Sequence, residues 1–212
     1  MSTEQRNQGK TIASAAKFLP FLDLLKTQGV SGKLLDLGCG TGRQVLAAAE
    51  AGFDAYGIDF SREAIALATR SAAAAQLQAT AHFRFGNILQ LPYADAEFSV
   101  LSDNACLQHI SPMDWDLYVQ NTTRVLKPGG LFRVRAWSAN AEFFTKDKGT
   151  LHTDRWTKIN GKEWTYFFNE GKKKKMLSQN FSVVSTEEVP LAQDTTKLFW
   201  VVLLQKKEVV AE

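Results

Sequence analysis

Three glycines spaced by single residues follow an apolar run and an acidic residue early in this chain. Residues 34–44 read Leu-Leu-Asp-Leu-Gly-Cys-Gly-Thr-Gly-Arg-Gln, and a helical pattern comes next. Glycine reaches positive φ without cost and leaves bare main chain for a ligand to approach. The segment predicts a strand, a tight turn and a helix N-terminus, with a ligand site at the carboxyl end of the strand. A tight turn without a ligand is the alternative.

Short apolar runs alternate with helical patterns as far as residue 136. We expect five strands, at 33–37, 54–59, 82–85, 98–102 and 131–136, and helices between them at 43–51, 61–75 and 111–126. Such alternation with short connections predicts right-handed crossovers and a mainly parallel sheet. Residues 127–130, Lys-Pro-Gly-Gly, are expected to stop the third of these helices.

The two ends of the chain depart from this rhythm. Residues 11–27 have apolar residues at helical spacing but contain Pro20, which predicts two short helices or a kink. Residues 137–168 hold 8 of the chain's 23 aromatic residues. A helix is expected over 169–179. Two long strands follow at 181–189 and 196–206, and the short loop between them, with Pro190 and Asp194, requires antiparallel pairing. We expect a single domain over 1–212.

Charge and hydropathy exclude several classes of protein. The net charge is +3, and without the four lysines of residues 172–175 it is −1, so the basicity is local. We read that run as a solvated helix face and expect no nucleic-acid partner. The longest apolar stretch, 198–204, is too short to span a membrane, and residues 1–10 lack the apolar core of a secretory signal. We therefore expect a cytoplasmic protein. The two cysteines have no metal-ligand spacing around them, so no metal is predicted.

The glycine turn fits a dinucleotide fingerprint only in part. Gly38 and Gly40 match the first two glycines of G-x-G-x-x-G, but the third position falls on Arg43. Asp59 ends the second predicted strand, 19 residues after Gly40. An acid at this place is positioned to accept hydrogen bonds from both hydroxyls of a ribose. Its alternative role is to cap the helix that starts after Ser61.

Five short motifs carry a resemblance to a known family. They are LLDLGCGTG (34–42), YGIDFS (56–61), FGNILQLP (85–92), FSVLSDNACLQHI (98–110) and VLKPGGL (125–131). In this order and spacing the chain resembles the class I S-adenosylmethionine-dependent methyltransferases, particularly the small-molecule branch with the ubiquinone and menaquinone biosynthesis enzymes. The resemblance implies an α/β, Rossmann-like fold. Its seven-stranded sheet is mostly parallel, ends in an antiparallel C-terminal strand pair, and has helices on both faces.

The resemblance also implies a cofactor, S-adenosylmethionine, with S-adenosylhomocysteine as product, and residues that hold it. Asp36, Gly38 and Gly40 frame the methionine moiety, and Asp59 holds the ribose hydroxyls. Phe60 packs on the adenine. Asn87, where the family often has aspartate, hydrogen-bonds the adenine amino group, with the Ile88 main chain nearby. Ser102 and Asp103 lie near the transferred methyl, with local turn chemistry as the alternative.

Methyl transfer needs mainly positioning and exclusion of water, and a base only when the nucleophile must lose a proton. His109 and His152 are the candidate bases. In this family the segment 137–168 covers the acceptor, and its aromatic residues predict a small, partly apolar acceptor or else the core of an inserted hairpin. Residues 11–27 are the predicted lid.

Other functions remain open at this point. One alternative is a protein N-methyltransferase that acts on a terminal amine or a side chain. Another is a non-catalytic nucleotide-binding or scaffold protein of the same fold. A nicotinamide-dependent oxidoreductase is the third. The turn Ser-Asp-Asn-Ala at 102–105 lacks the Asn/Asp-Pro-Pro-Tyr/Phe sequence typical of enzymes that methylate exocyclic amines of DNA bases.

Overall fold

The computed structural model describes residues 18–140, 156–159, 163–166, 168, 176–191 and 194–208. The chain divides into two compact units, and the boundary lies between Asn87 and Ile88. The described residues of the first unit, from 18 onwards, contain three helices and three strands in alternation: α1 (Leu19–Thr27), β1 (Lys33–Leu37), α2 (Arg43–Glu50), β2 (Asp54–Asp59), α3 (Arg62–Ala74) and β3 (Ala81–Phe85).

The three strands of the first unit are parallel and lie in the order β3-β2-β1. Leu37 is in register with Ile58, and Asp59 with Phe85, so the carboxyl ends of these strands lie side by side. Leu34, Leu35 and Leu37 are fully buried. The near-continuous apolar run of β1 is the composition that a strand covered on both faces requires.

Helix α1 begins at Leu19, with Pro20 in its first turn. Proline is tolerated there because the first N–H groups of a helix have no partner within the helix. The prediction that Pro20 kinks or divides a helical segment over 11–27 stays a prediction, because residues 11–17 of the predicted lid lie outside the described residues. Helix α3 begins as predicted, because the Ser61 hydroxyl accepts a hydrogen bond from the Ala64 N–H at 3.1 Å.

The described residues of the second unit include one long helix and six strands, with short 3₁₀ turns at Ile88–Gln90, Leu107–His109 and Pro112–Asp114. The longer elements are β4 (Phe98–Asn104), α4 (Trp115–Val125), β5 (Leu126–Trp137), β6 (Trp156–Ile159), β7 (Glu163–Tyr166), β8 (Phe181–Leu191) and β9 (Asp194–Lys206). Strands β4 and β5 are parallel, whereas β5 with β9 and β9 with β8 are antiparallel.

Strand β5 begins five residues earlier than the sequence predicts. Leu126 pairs with Phe98, and the register then shifts so that Leu131 pairs with Val100. The segment 127–130 is thus an irregularity within the strand rather than a break before it. Gly129, at a φ of 72°, supplies a backbone conformation that other residues rarely adopt.

Pro190 also lies in a strand, although the sequence places it in a loop. It pairs with Leu198 at the end of β8, next to a register shift. Strand β8 is the last strand of the sheet, and proline is tolerated at a sheet edge because one side of an edge strand needs no ladder hydrogen bonds. The predicted antiparallel pairing of the two long strands is confirmed.

Together the strands form a seven-stranded sheet in the order β3-β2-β1-β4-β5-β9-β8, and β6 and β7 pair separately as an antiparallel hairpin within the predicted 137–168 insertion. The predicted α/β, Rossmann-like class with an antiparallel C-terminal pair is confirmed. In the part of the chain that the structure describes, no helix combines the length and apolar character needed to cross a membrane.

Candidate cofactor site

The glycine turn is bonded to the end of the neighbouring strand. The N–H groups of Gly38 and Cys39 both donate to the Ile58 carbonyl, at 2.9 and 3.0 Å. Gly38, Gly40 and Gly42 have φ values of 66°, 53° and 81°. All three therefore adopt the left-handed conformation that glycine accommodates best, as the sequence predicts.

Asp59 holds two backbone segments with one carboxylate. Its Oδ2 accepts from the Gly40 N–H at 2.8 Å, and its Oδ1 accepts from the Ser61 N–H at 2.8 Å. The residue is 8% exposed. Each carboxylate oxygen has two lone-pair positions, so each keeps one for a further donor. Both interpretations of Asp59 are thus compatible: it fixes the start of α3 and retains capacity for a ligand.

Gly40 and Gly42 serve different purposes. A Cβ added at Gly40 meets no atom within 4 Å, whereas one at Gly42 would lie 2.6 Å from the Phe83 ring and 2.8 Å from the Ala68 Cβ. Gly40 therefore borders open space, and Gly42 allows close packing. Gly57 also allows close packing, since a Cβ there would lie 2.7 Å from the Cys39 Sγ. In the dinucleotide fingerprint the third glycine, here Arg43, allows the helix to pack closely on its strand. In this protein Gly42 and Gly57 allow the close packing instead.

The turn lies in an anionic environment. Asp36, in β1, is 3% exposed. Burial, followed by the charges of Asp36 and Asp59, raises the pKa of the Cys39 thiol. The thiol therefore stays neutral at physiological pH, and the carboxylates near it favour a cationic ligand group over an anionic one.

Phe60 and Asn87 are exposed side chains beside this turn region. Phe60 directly follows Asp59 and is 81% exposed, an unusual exposure for a large apolar ring. Asn87 follows β3 by two residues and is exposed, and the adjacent Ile88 is 9% exposed. The first unit thus brings Asp36, Gly38, Gly40, Asp59 and Phe60 to the carboxyl ends of β1 and β2.

Asp103, in the second unit, is completely buried at the end of β4. Its Oδ1 accepts from the Cys106 N–H at 2.8 Å, and its Oδ2 accepts from the Leu107 N–H at 3.0 Å and the Tyr118 hydroxyl at 2.7 Å. These bonds hold the 3₁₀ turn at Leu107–His109, which is the local turn chemistry that the sequence leaves as an alternative. Ser102 is also fully buried.

Burial raises the pKa of Asp103 to about 6. The hydrogen bonds from Tyr118, Cys106 and Leu107 and the nearby His109 oppose that shift, because they stabilise the charged carboxylate. Desolvation is the larger effect.

Sequence analysis did not single out Tyr118, although its place on the buried face of α4 follows from the spacing of Trp115, Tyr118 and Thr122.

His109 is exposed, but both of its ring nitrogens have neighbours in the protein. The Gln108 Oε1 accepts from the Trp137 N–H at 3.0 Å, which leaves the Gln108 Nε2 as a donor to the His109 Nε2 at 3.2 Å. Nε2 is then the unprotonated nitrogen, and Nδ1 donates to the Thr165 hydroxyl at 3.4 Å. Sequence reasoning missed Gln108, which is 3% exposed and sets this tautomer. The other candidate base, His152, lies outside the described residues.

Two described aromatic residues of the insertion pack on each other and on rings outside it. Tyr166 and Phe168 are each 1% exposed, and both lie against the Trp115 ring, with centroid distances of 4.6 and 5.3 Å. Tyr166 and Phe168 are therefore buried against α4, and whether other aromatic residues of the insertion line an acceptor pocket stays a prediction. A separate cavity of about 950 Å³ is lined by residues of α4 and of 176–180, and none of the predicted site residues lines it.

Comparison with known proteins identifies the family. Residues 29–172 match the family model described as "Methyltransferase domain". The chain belongs to this methyltransferase family. The resemblance predicted from the five motifs is confirmed, and the cofactor of these enzymes is S-adenosylmethionine.

Individual relatives act on different acceptors. Norajmaline N-methyltransferase of Rauvolfia serpentina is 33% identical over 97 residues, which are 45% of this chain and 32% of that protein. Demethylmenaquinone methyltransferase of Lactobacillus johnsonii is 31% identical over 99 residues, 45% of this chain and 40% of that protein. The match thus spans less than half the length of these curated relatives.

A solved structure shares the fold. The 1,6-didemethyltoxoflavin-N1-methyltransferase of Burkholderia thailandensis, solved with 1,6-didemethyltoxoflavin and S-adenosylhomocysteine bound, superposes with a TM-score of 0.73 at 20% identity. The match covers 95% of this chain and 84% of that one. The agreement in fold therefore extends beyond the five motifs, into the C-terminal strands.

Proposed function

We propose that this protein transfers a methyl group from S-adenosylmethionine to a small-molecule acceptor. One observation carries the proposal: the Asp59 carboxylate is bonded to the Gly40 N–H, beside the open space above Gly40. A glycine turn bonded to an acid on the next strand presents main chain and a carboxylate together. This combination suits a nucleoside with a cationic tail.

In this proposal each residue contacts one part of the cofactor. Asp36, Gly38 and Gly40 frame the methionine moiety, whose ammonium and sulfonium charges the anionic turn favours. Asp59 accepts from the ribose hydroxyls with the lone pairs that Gly40 and Ser61 leave unused. The exposed Phe60 ring packs on the adenine, and Asn87 with the Ile88 main chain hydrogen-bonds its edge.

The chemical step is an in-line displacement at the methyl carbon. The nucleophile of the acceptor forms a bond to that carbon as the carbon–sulfur bond breaks. The electron pair of the broken bond stays on sulfur, and the leaving molecule is S-adenosylhomocysteine. Since the leaving thioether is neutral, catalysis rests on positioning the two reactants and excluding water. Ser102 and Asp103 shape the region of the transferred methyl, Asp103 through the turn that it holds. His109 and His152 are the candidate bases for an acceptor that must lose a proton.

The small-molecule class of acceptor is supported by the relatives, which include Norajmaline N-methyltransferase and Demethylmenaquinone methyltransferase. We propose the cytoplasm, or another reducing compartment, as the location, since no disulfide joins Cys39 and Cys106, the chain's two cysteines. The 1–212 single domain, with a lid at 11–27 and an acceptor cover at 137–168, is part of the same proposal.

The proposal is tested by incubating the protein with tritiated-methyl S-adenosylmethionine and a metabolite extract. We expect a labelled small molecule whose mass exceeds that of its precursor by one methyl group. A labelled polypeptide would instead support the protein N-methyltransferase alternative. Binding of the cofactor without transfer to either kind of acceptor would favour the non-catalytic alternative.

A further inference from the structure

Strand β5 carries two arginines on one face, and both are buried. Side chains of a strand alternate between faces, so Arg133 and Arg135 point the same way. They are 6% and 7% exposed. A buried guanidinium is costly unless it meets an opposite charge, and a like charge two residues away increases the cost. Burial, followed by the charge of Arg133, lowers the pKa of Arg135 to about 10, so Arg135 still carries its proton at neutral pH.

The contacts of Arg135 satisfy only part of its guanidinium. Nη1 donates to the Asn104 Oδ1 at 3.2 Å. The Cζ atom lies 3.3 Å from the centre of the Phe199 ring, on which Trp137 stacks at 3.9 Å. The Nε atom is buried and makes no hydrogen bond to any described residue. Among those residues, no carboxylate forms an ion pair with Arg135.

We propose that the Nε–Nη2 edge of Arg135 binds a carboxylate of the methyl acceptor. The inference rests on the proposed function, and it narrows the acceptor to a small carboxylic acid. Two parallel N–H groups in one plane match the two oxygens of a carboxylate, a fit that a lysine ammonium lacks. The bound anion would offset the charge of Arg135.

The neighbours of Arg135 connect it to the predicted acceptor region. Asn104, which receives its hydrogen bond, is the last residue of β4 and directly follows Ser102 and Asp103. The Arg135 carbonyl also accepts from the Ala105 N–H at 2.7 Å. The partly exposed Trp137 ring, which stacks on Phe199, supplies an apolar surface near the guanidinium that suits a flat or aromatic acid.

A matched pair of probes tests the site itself. Benzoate and benzamide have nearly the same shape, but only benzoate is an anion. We expect millimolar binding of benzoate in a chemical-shift titration, binding at least tenfold weaker in Arg135→Met, and an intermediate value in Arg135→Lys. Benzamide should bind weakly and equally to all three proteins. Thermal unfolding checks that each variant is folded, and Arg70→Met, at an exposed arginine of α3, is the control that should match the wild type.

Equal benzoate affinity in the wild type and Arg135→Met, or no preference for benzoate over benzamide in the wild type, would overturn the proposed site. The acceptor class is tested by passing the metabolite extract over an anion-exchange resin. Label should enter a compound of the retained fraction, and Arg135→Met should raise its KM at least tenfold with kcat within twofold. Label only in the unretained fraction overturns the acceptor class. Absence of label from both fractions would contradict the proposed function instead. The benzoate titration would then still decide whether Arg135 binds a carboxylate.

Discussion

The Gly40 N–H donates to the Asp59 Oδ2 at 2.8 Å, so the turn after β1 is bonded to the acid that ends β2. The other oxygen of the same carboxylate accepts from the Ser61 N–H, at the start of α3. One side chain therefore fixes the glycine turn and the next helix N-terminus before any ligand binds. A site fixed in this way has less ordering to do on binding, which favours affinity.

Replacing Asp59 by alanine should weaken S-adenosylmethionine binding. We expect a loss of about 1.5–3 kcal/mol in binding free energy, because charge-assisted hydrogen bonds to the ribose disappear and the turn loses its anchor. Isothermal titration measures the loss. Asp54→Ala, at the opposite end of β2, is the matched control and should bind as the wild type does. An unchanged dissociation constant in Asp59→Ala would reject the ribose role.

Two glycine substitutions should separate binding from folding. In Gly42→Ala the new Cβ meets Phe83 and Ala68 at under 3 Å, so we expect the free energy of unfolding to fall by about 2–4 kcal/mol from overpacking and backbone strain. In Gly40→Val only the strain, about 1–2 kcal/mol, applies to the fold. Gly40→Val should nevertheless lose cofactor binding, because the side chain enters the open space.

Chemical denaturation and titration of the two glycine variants measure the two effects separately. Normal cofactor binding by Gly40→Val would show that the ligand does not lie against the turn. Equal loss of stability in both variants would contradict the difference in packing between Gly40 and Gly42.

The buried Asp103 should make stability fall as pH rises from about 4 to 7. Its folded pKa of about 6 lies above the usual value of an aspartate, so the folded state holds more protons than the unfolded state in this range. Protonation of Asp103 should contribute about 3 kcal/mol to the free energy of unfolding at the acidic end of this range. That contribution is lost as the pH rises through the folded pKa of Asp103. Denaturation of the wild type and Asp103→Asn across this range measures it.

The asparagine variant cannot ionise, so the difference in unfolding free energy between the two proteins should change with pH. Tyr118→Phe is a useful companion, since it removes the 2.7 Å hydrogen bond that stabilises the charged carboxylate. In Tyr118→Phe the folded pKa of Asp103 should therefore be higher, and the loss of stability should occur at a higher pH than in the wild type. A pH profile that Asp103→Asn leaves unaltered would contradict the raised pKa.

His109 should matter more to the local structure than to the chemical step. Its Nε2 faces Gln108 and its Nδ1 faces Thr165, so a proton-accepting role requires one contact to open. We expect His109→Gln to lower the unfolding free energy by about 1 kcal/mol and to keep kcat within about tenfold. A loss of about 10²–10⁴ in kcat, with a changed pH–rate profile, would instead identify His109 as the base. His82→Gln, at a histidine paired with Asp54, is the control.

The sequence predicted the first unit closely because its signals are local. The bounds of β1 and β2 agree exactly with the predicted strands, and Ser61 caps α3 as its residue type indicates. These features depend on hydrophobic runs, turn glycines and capping residues within a few positions of one another. The family motifs lie on the same segments, which is why the fold class followed as well.

The predictions that were wrong concern residues whose structure depends on distant partners. The segment 127–130 joins β5 because Leu126 pairs with Phe98, and Pro190 joins β8 because it pairs with Leu198. Local rules predict a break at both places. The charge state of Asp103 and the burial of Arg135 likewise depend on neighbours, such as Tyr118 and Phe199, that are remote in sequence.

Binding of an adenosyl sulfonium by the glycine turn and Asp59 is tested most directly by two parallel titrations. S-adenosylmethionine and NAD are titrated separately into the purified protein in a calorimeter. We predict saturable heat with a micromolar dissociation constant for S-adenosylmethionine and none for NAD at the same concentrations. Saturable binding of NAD with no heat for S-adenosylmethionine would contradict the account.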